Sequence, residues 1–159
     1  ALLLTDGNEN PDLLADLHLN LANVYFHAGK PANAIQYYLK RSKSNQGFSS
    51  DHQSLIFRFL FARSFLHVGD YKQAIKQAQM ALGISKKIEP KLTGASINPE
   101  SLELFIGAAY FMSSQYSNAL TMLRKNLNQL LNKKRWHQAI PVMRIVALSH
   151  LFRGDLDAA

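Results

Sequence analysis

Four segments of this chain repeat one pattern of small residue, turn and alanine, and a repeat of that kind limits the fold before anything else does. The small residues are Ala22, Ala62, Gly107 and Ala147. Seven positions after each stand Gly29, Gly69, Ser114 and Gly154, and twelve positions after each stand Ala34, Ala74, Ala119 and Ala159. A ring follows each small residue by three: Tyr25, Phe65, Tyr110 and His150. From one small residue to the next the distance is 40, 45 and 40 positions. A unit of this length cannot bury its apolar face alone, so neighbouring units must stack into an array.

Each unit reads as helix, tight turn, second helix. Leu13, Leu17, Leu21, Val24 and Tyr25 recur at helical spacing. Gly29, Gly69 and Gly154 stand where a helix ends in a left-handed residue. Pro31 suits the first turn of the next helix, and Asp70 and Asp155 are placed to cap one. Ala22, Ala62 and Gly107 let the paired helices approach, with large aromatics beside them. The spacing predicts helices over 12–28, 31–45, 51–68, 71–87, 99–113, 116–132 and 137–153, then the start of an eighth. Pro141 is tolerable only in a first turn, so the seventh helix should begin near residue 138 or kink there. Residues 88–98, with Pro90 and Gly94, form the longest expected loop. Ala1–Leu4 reads as the end of a preceding helix. The expectation is one all-α domain over 1–159, with repeats at about 12–45, 51–87 and 99–132 and an interrupted one at 137–159. Ala at position 1 and the interruption at Ala159 suggest a piece of a longer chain.

Composition removes several function classes. At 47% hydrophobic the chain is too apolar for a disordered tail. It has no cysteine, which removes disulfides, thiolate catalysis and Cys-based zinc. No apolar run approaches the roughly 20 residues that cross a bilayer. The greasiest stretch, Ser54 to Val68, contains Arg58 and Arg63 and reads as a buried helix, so no membrane partner is expected. The six histidines include no His-x-x-x-His pair, and His27 and His67, at equivalent repeat positions, read as polar surface. There is no phosphate-binding glycine loop and no Gly-x-Ser-x-Gly elbow. Glu100 and Glu103 sit at a helix start, where negative charge is favourable anyway. The expectation is no metal, no cofactor and no catalysis.

The charge is lopsided. Eighteen Lys and Arg face eleven Asp and Glu, a net charge of +7. No acid falls between Asp16 and Asp51, or between Glu103 and Asp155. The second gap holds Arg124, Lys125, Lys133, Lys134, Arg135, Arg144 and Arg153. Such a field favours an acidic partner, and nucleic acid is a candidate on charge alone. No helix-turn-helix, zinc-finger or RNP-like pattern accompanies it, which argues against nucleic acid. Trp136, the single tryptophan, follows Lys133–Arg135. It is expected to pack under the long helix that follows; the alternative is a surface anchor.

The order of small residue, aromatic, Gly-Asp-Tyr-like turn and alanine resembles the tetratricopeptide repeat. Gly69-Asp70-Tyr71-x-x-Ala74 and Gly154-Asp155-Leu156-x-x-Ala159 carry the likeness best. Two features depart from it. The usual period is about 34 residues, and the first-helix tryptophan is replaced by His18, Arg58, Glu103 and Met143. The resemblance implies a right-handed superhelix of antiparallel helix hairpins, a binding module rather than an enzyme, with the first helices lining a concave groove. Transferred by position, that groove is Leu19, Asn23, Phe26 and His27, then Phe59, Arg63, Leu66 and His67, then Leu104 and Phe111, then Arg144, Leu148 and Phe152. The ligand implied is an extended or helical protein segment with apolar anchors, its carboxylates read by Arg63 and Arg144. The other reading of Phe59, Phe111 and Phe152 is that they cover neighbouring helices.

The family's carboxylate clamp for chaperone tails is poorly matched. Only Asn23 fits, while Leu19, Leu60, Ser101 and Phe105 replace the other four polar residues. Two narrower likenesses remain open. Tyr71–Ile75, Met80–Leu82 and Lys86-Lys87 are similar to the N-terminal region of subunit 7 of the anaphase-promoting complex. Trp136–Ala139 and the segment from Asp155 are similar to the sensor repeats of MalT-like bacterial regulators. The functional expectation is therefore a scaffold in a multiprotein assembly, with a homodimer through the truncated or the basic edge as a further expectation. The alternative is a peptide- or effector-sensing module of a signalling or transcription regulator. An intracellular location, cytoplasmic or nuclear, goes with either.

Overall fold

A computed structural model describes residues 11–44, 47–88 and 97–155, and they form seven α-helices. These are α1 (Pro11–His27), α2 (Pro31–Lys43), α3 (Asp51–His67), α4 (Tyr71–Ser85), α5 (Pro99–Met112), α6 (Tyr116–Asn132) and α7 (Trp136–Arg153). Consecutive helices pack on one another, α1 on α2, α3 on α4 and α5 on α6, and each pair stacks on the next. The expected segments 1–10 and 156–159, and most of the 88–98 loop, lie outside the described residues.

The turns repeat because one hydrogen-bond pattern makes them. After α3, Gly69 N–H donates to Leu66 O at 3.1 Å and Asp70 N–H to Phe65 O at 3.0 Å. The same pair of bonds follows α1, α5, α6 and α7. This is the six-to-one, five-to-two closure that needs a left-handed residue. Gly69 supplies it at φ 82°, and Gly154 at φ 90°. Ser114 at φ 61° and Lys134 at φ 53° supply it without being glycine. After α1, α3, α5 and α6 the next helix starts two residues past the left-handed one, so the chain reverses sharply there.

Capping follows the sequence expectation where a polar side chain is at hand. Asp70 accepts from Gln73 N–H at 3.1 Å, and Ser50 accepts from Gln53 N–H at 3.1 Å. Asn98 and Ser101 form a reciprocal box, with bonds of 2.8 Å and 3.1 Å. α7 departs from expectation. It starts at Trp136, not residue 138, and Pro141 lies inside it. Pro141 has no N–H for His137 O, but it is exposed, so its ring meets solvent rather than core.

The core is a row of clusters rather than one centre. Leu19, Ala22, Tyr38, Phe57, Phe61 and Phe65 join α1–α3. Ala62, Ile75, Ala78, Ile106 and Ala109 join α3–α5. Leu55, Ala81 and Leu102 form a third contact near the helix ends. Leu123, Leu130, Ala139 and Val142 join α6 to α7. The close approach expected at the small positions is sharpest at Gly107. A Cβ there would sit inside the van der Waals envelope of Leu123.

Candidate functional site

The first helices α1, α3, α5 and α7 meet along one side through their aromatic rings. Phe26 of α1 meets His67 of α3 edge-on at 5.9 Å. Phe59 of α3 meets Phe105 of α5 at 5.7 Å. Phe111 of α5 meets Phe152 of α7 at 5.9 Å. Phe59, Phe111 and Phe152 thus each contact a neighbouring helix, as the alternative reading of them held. Phe26, Phe59 and Phe111 remain partly exposed, and Phe152 is 59% exposed.

Arg63 is the charged centre of this row. Its guanidinium lies over the Phe26 ring at 5.0 Å and the Phe59 ring at 5.8 Å. A guanidinium within about 6 Å of a ring centroid is attracted by the ring's negative face, here by two rings. No carboxylate pairs with Arg63 among the described residues. Burial pushes the Tyr38 hydroxyl well above the ordinary tyrosine range, and the charge of Arg63 opposes that. Tyr38 OH donates to Asn23 Oδ1 at 2.8 Å, so Asn23 is tied to the core from the groove side.

The remaining expected residues divide. His27 is exposed and meets Phe26 edge-on at 5.4 Å. His67 is exposed, and Leu66 is partly buried against two core clusters. Arg144 is exposed and Leu148 partly buried on α7. Leu104 is partly buried against the α6–α7 core and also lines a pocket of about 300 Å³. Leu19 does not belong to the groove. It is buried in the first core cluster, because its position on α1 faces α2 and α3.

Trp136 also departs from expectation. As the first residue of α7 it is 58% exposed rather than buried beneath that helix. Glu100 and Glu103 have structural work. Glu100 accepts from Lys133 Nζ at 3.0 Å, with Arg135 at 3.9 Å. That hydrogen bond first, against the effect of burial, holds the Glu100 carboxyl below the ordinary glutamate range. Glu103 accepts from Asn126 Nδ2 at 3.1 Å. Among the described residues no group of three or more His, Cys, Asp or Glu could hold a metal ion, and no helix is long and apolar enough to cross a membrane.

Sequence reasoning missed two polar arrangements. Asn126 is fully buried, and its Nδ2 also donates to Glu100 O at 3.0 Å, while its Oδ1 has no hydrogen-bond partner among the described residues. The signal was present: Ala119, Leu123, Asn126 and Leu130 are one helical stripe in which Asn replaces an apolar residue. The second is at the fourth ring position. An arginine N–H can only donate, so Arg124 Nη2, 2.9 Å away, makes His150 Nε2 the acceptor. His150 Nδ1–H then donates to Asp155 Oδ2 at 3.2 Å. Hydrogen bonds from Arg153 and His150 hold the Asp155 carboxyl below its ordinary range.

The antiparallel helices of the described residues, stacked in pairs with an aromatic and cationic row along the first helices, define a helical-repeat superhelix. The tetratricopeptide repeat family matches residues 13–87. Those residues resemble tetratricopeptide repeats, and α5–α7 continue the same helical architecture beyond them. No curated protein sequence matches the chain.

Solved structures share its fold. It is similar to the Rap conjugation gene regulator of the plasmid pLS20, solved with the Phr* peptide, at TM-score 0.67 and 16% identity over 99% of this chain. It is similar to aspartyl phosphate phosphatase F from Bacillus subtilis at TM-score 0.66 and 16% identity over 94% of this chain. It is also similar to the TPR2B domain of yeast Sti1, solved with pHsp70, at TM-score 0.60 and 13% identity over 87% of this chain. The chain spans 38% of the phosphatase, 44% of the Rap regulator and 98% of the TPR2B domain. At these identities the likeness is one of fold.

Proposed function

We propose that the chain is a non-catalytic scaffold that binds a partner protein segment along α1, α3 and α5. The observation that carries this reading is Arg63, which pairs with no carboxylate among the described residues and lies over Phe26 and Phe59 in a partly exposed aromatic row. Such a site suits an acidic residue flanked by apolar anchors, because the rings bury the anchors while the guanidinium meets the charge. Peptide or protein ligands are present in two of the similar structures, the Rap regulator and the TPR2B domain. Membership of a larger assembly of the anaphase-promoting kind rests on the sequence likeness around Tyr71–Leu82 alone.

A second reading, a peptide-sensing module of a regulator, is favoured by the peptide-bound conjugation gene regulator among the similar folds. Both readings use the same groove, so one experiment addresses it. An array of synthetic peptides pairing Asp or Glu with Phe or Leu anchors is screened against the wild type, Arg63→Lys and Arg63→Glu. The expected result is a loss of about tenfold or more in affinity for Arg63→Glu. Loss of the ring contacts also lowers stability by about 1 kcal/mol, which a melt separates from the binding effect. Equal affinity of wild type and Arg63→Glu for every bound peptide overturns the groove reading.

A further inference from the structure

The junction of α3, α4 and α5 is filled differently from its counterpart between α5, α6 and α7. The repeat spacings of 45 and 40 positions align Leu55 with Glu100, Ala81 with Asn126 and Leu102 with Val142. In the earlier junction Leu55, Ala81 and Leu102 are fully buried together, and Phe59, Ile88 and Ile97 pack against them. In the later one the counterparts of those last three are Leu104, Lys133 and His137. The apolar plug is gone, and a pocket of about 300 Å³ stands there. Its walls come from α5, α6 and α7. Val142, on the α7 side, matches Leu102, which faces the preceding unit. The wall that α7 gives is therefore its face toward α5, whatever packs on its other side.

Asn126 gives this pocket its chemistry. It lines the pocket and is fully buried. Its amide nitrogen donates to Glu100 O at 3.0 Å and to Glu103 Oε2 at 3.1 Å. Two acceptors fix the orientation of the amide, so Oδ1 is the end left over. Oδ1 has no hydrogen-bond partner among the described residues. A buried acceptor without a donor is unfavourable, and an occupant with an N–H supplies the missing bond. Charge narrows the occupant. Glu100, the carboxylate of the pocket, already meets Lys133 at 3.0 Å and Arg135 at 3.9 Å. Leu104, Leu130, Pro141 and Val142 are apolar walls, against which an uncompensated charge is disfavoured. Gln138 at the exposed rim has an amide N–H for an acceptor on the occupant. A group that donates, accepts and carries no charge is a carboxamide. We propose that the α5–α6–α7 junction binds an uncharged carboxamide carried on a compact aliphatic body, its N–H given to Asn126 Oδ1. The proposal does not rest on the Arg63 groove.

The probes share one cyclohexyl body and differ in its substituent: carboxamide, methyl ester, carboxylate or aminomethyl. Each is titrated into the isotope-labelled full chain and followed by the NMR shifts of backbone and side-chain amides. Cyclohexanecarboxamide should bind with a Kd of about 1 mM and move the Asn126 side-chain signals together with those of Gln138. The ester has no donor and should bind about tenfold more weakly, and the two ions should bind no better than the ester. Asn126→Ala, which restores the residue of the earlier junction, should bring the carboxamide down to the level of the ester. That change also removes two structural hydrogen bonds, so Leu104→Phe is the second variant. It restores the counterpart of Phe59, should fill the pocket, and should abolish binding with the fold intact by circular dichroism. Arg63→Glu should leave binding unchanged. A peptide separates the two sources of a carboxamide. If acetyl-Leu-Gln-Leu amide moves the same signals at lower concentration, the group belongs to a glutamine of a partner; a weaker response assigns it to a free molecule. Either supports the site.

Three results overturn the proposal. One is an unmoved Asn126 signal with the carboxamide, which leaves the pocket to water. Another is an ester that binds as tightly as the carboxamide. The third is carboxamide binding that Leu104→Phe does not change.

Discussion

The first helix of the second unit and the first helix of the fourth are built to one plan and end in different surroundings. Phe65 and His150 hold the same position, three residues past the small residue. Phe65 is buried among aromatics, while His150 is equally hidden but held by Arg124 and Asp155. Leu55 is enclosed and Ile140 is open. Burial in a stacked array is a property of what stands next to a residue, not of its place within the unit. That follows from the geometry of repeats, where each unit contacts only its neighbours.

Truncating the matched pair tests this most severely. Leu55→Ala should cost about 2–5 kcal/mol, through lost transfer energy and a cavity. Ile140→Ala should change stability by no more than about 0.5 kcal/mol. Urea titrations of both variants measure the difference, and similar losses would mean that Ile140 is covered in solution.

Two glycines sharpen the same contrast inside helices. Gly107→Val drives a side chain into Leu123 and should cost about 1–3 kcal/mol through overpacking. At Gly83 an added Cβ meets nothing within 4 Å, so Gly83→Ala should stabilise α4 by about 0.5–1 kcal/mol. Thermal melts should move in opposite directions.

The smallest effect belongs to the basic edge. Because Lys133 holds the Glu100 carboxyl below its ordinary range, the pair stabilises the fold above that range. The contribution fades as the pH falls through the folded value. Lys133 is half exposed, so the effect is about 0.5 kcal/mol or less. Melts from pH 7 downward should lose that increment in the wild type and show none of it in Glu100→Gln.

Much of this was legible in the residues. The invariant spacings foretold the helix pairs, and six of the seven helices begin within one residue of expectation because glycine, proline and cap positions mark them locally. The seventh also starts close by, but at Trp136, ahead of the residue 138 that Pro141 suggested. A proline on a solvent-facing position costs the helix one bond without a steric conflict in the core, and only the packing shows which way it faces. Lys134 taking the left-handed turn was likewise hidden, since no glycine announces it.

The candidate site was half legible. Repeat position alone brought Phe26, Phe59 and Arg63 onto one list, but not the placement of Arg63 between the two rings. Leu19 joined that list by analogy and proved to be core. By itself the sequence determined the unit, its turns and its excess of cations, because those depend on neighbours a few residues away or on composition. Which apolar residues became core and which cation came to lie over aromatic rings were decided only by tertiary structure. They depend on side chains as far apart in sequence as Phe26 and Arg63 or Leu55 and Leu102, brought together by stacking, and no local pattern records that distance.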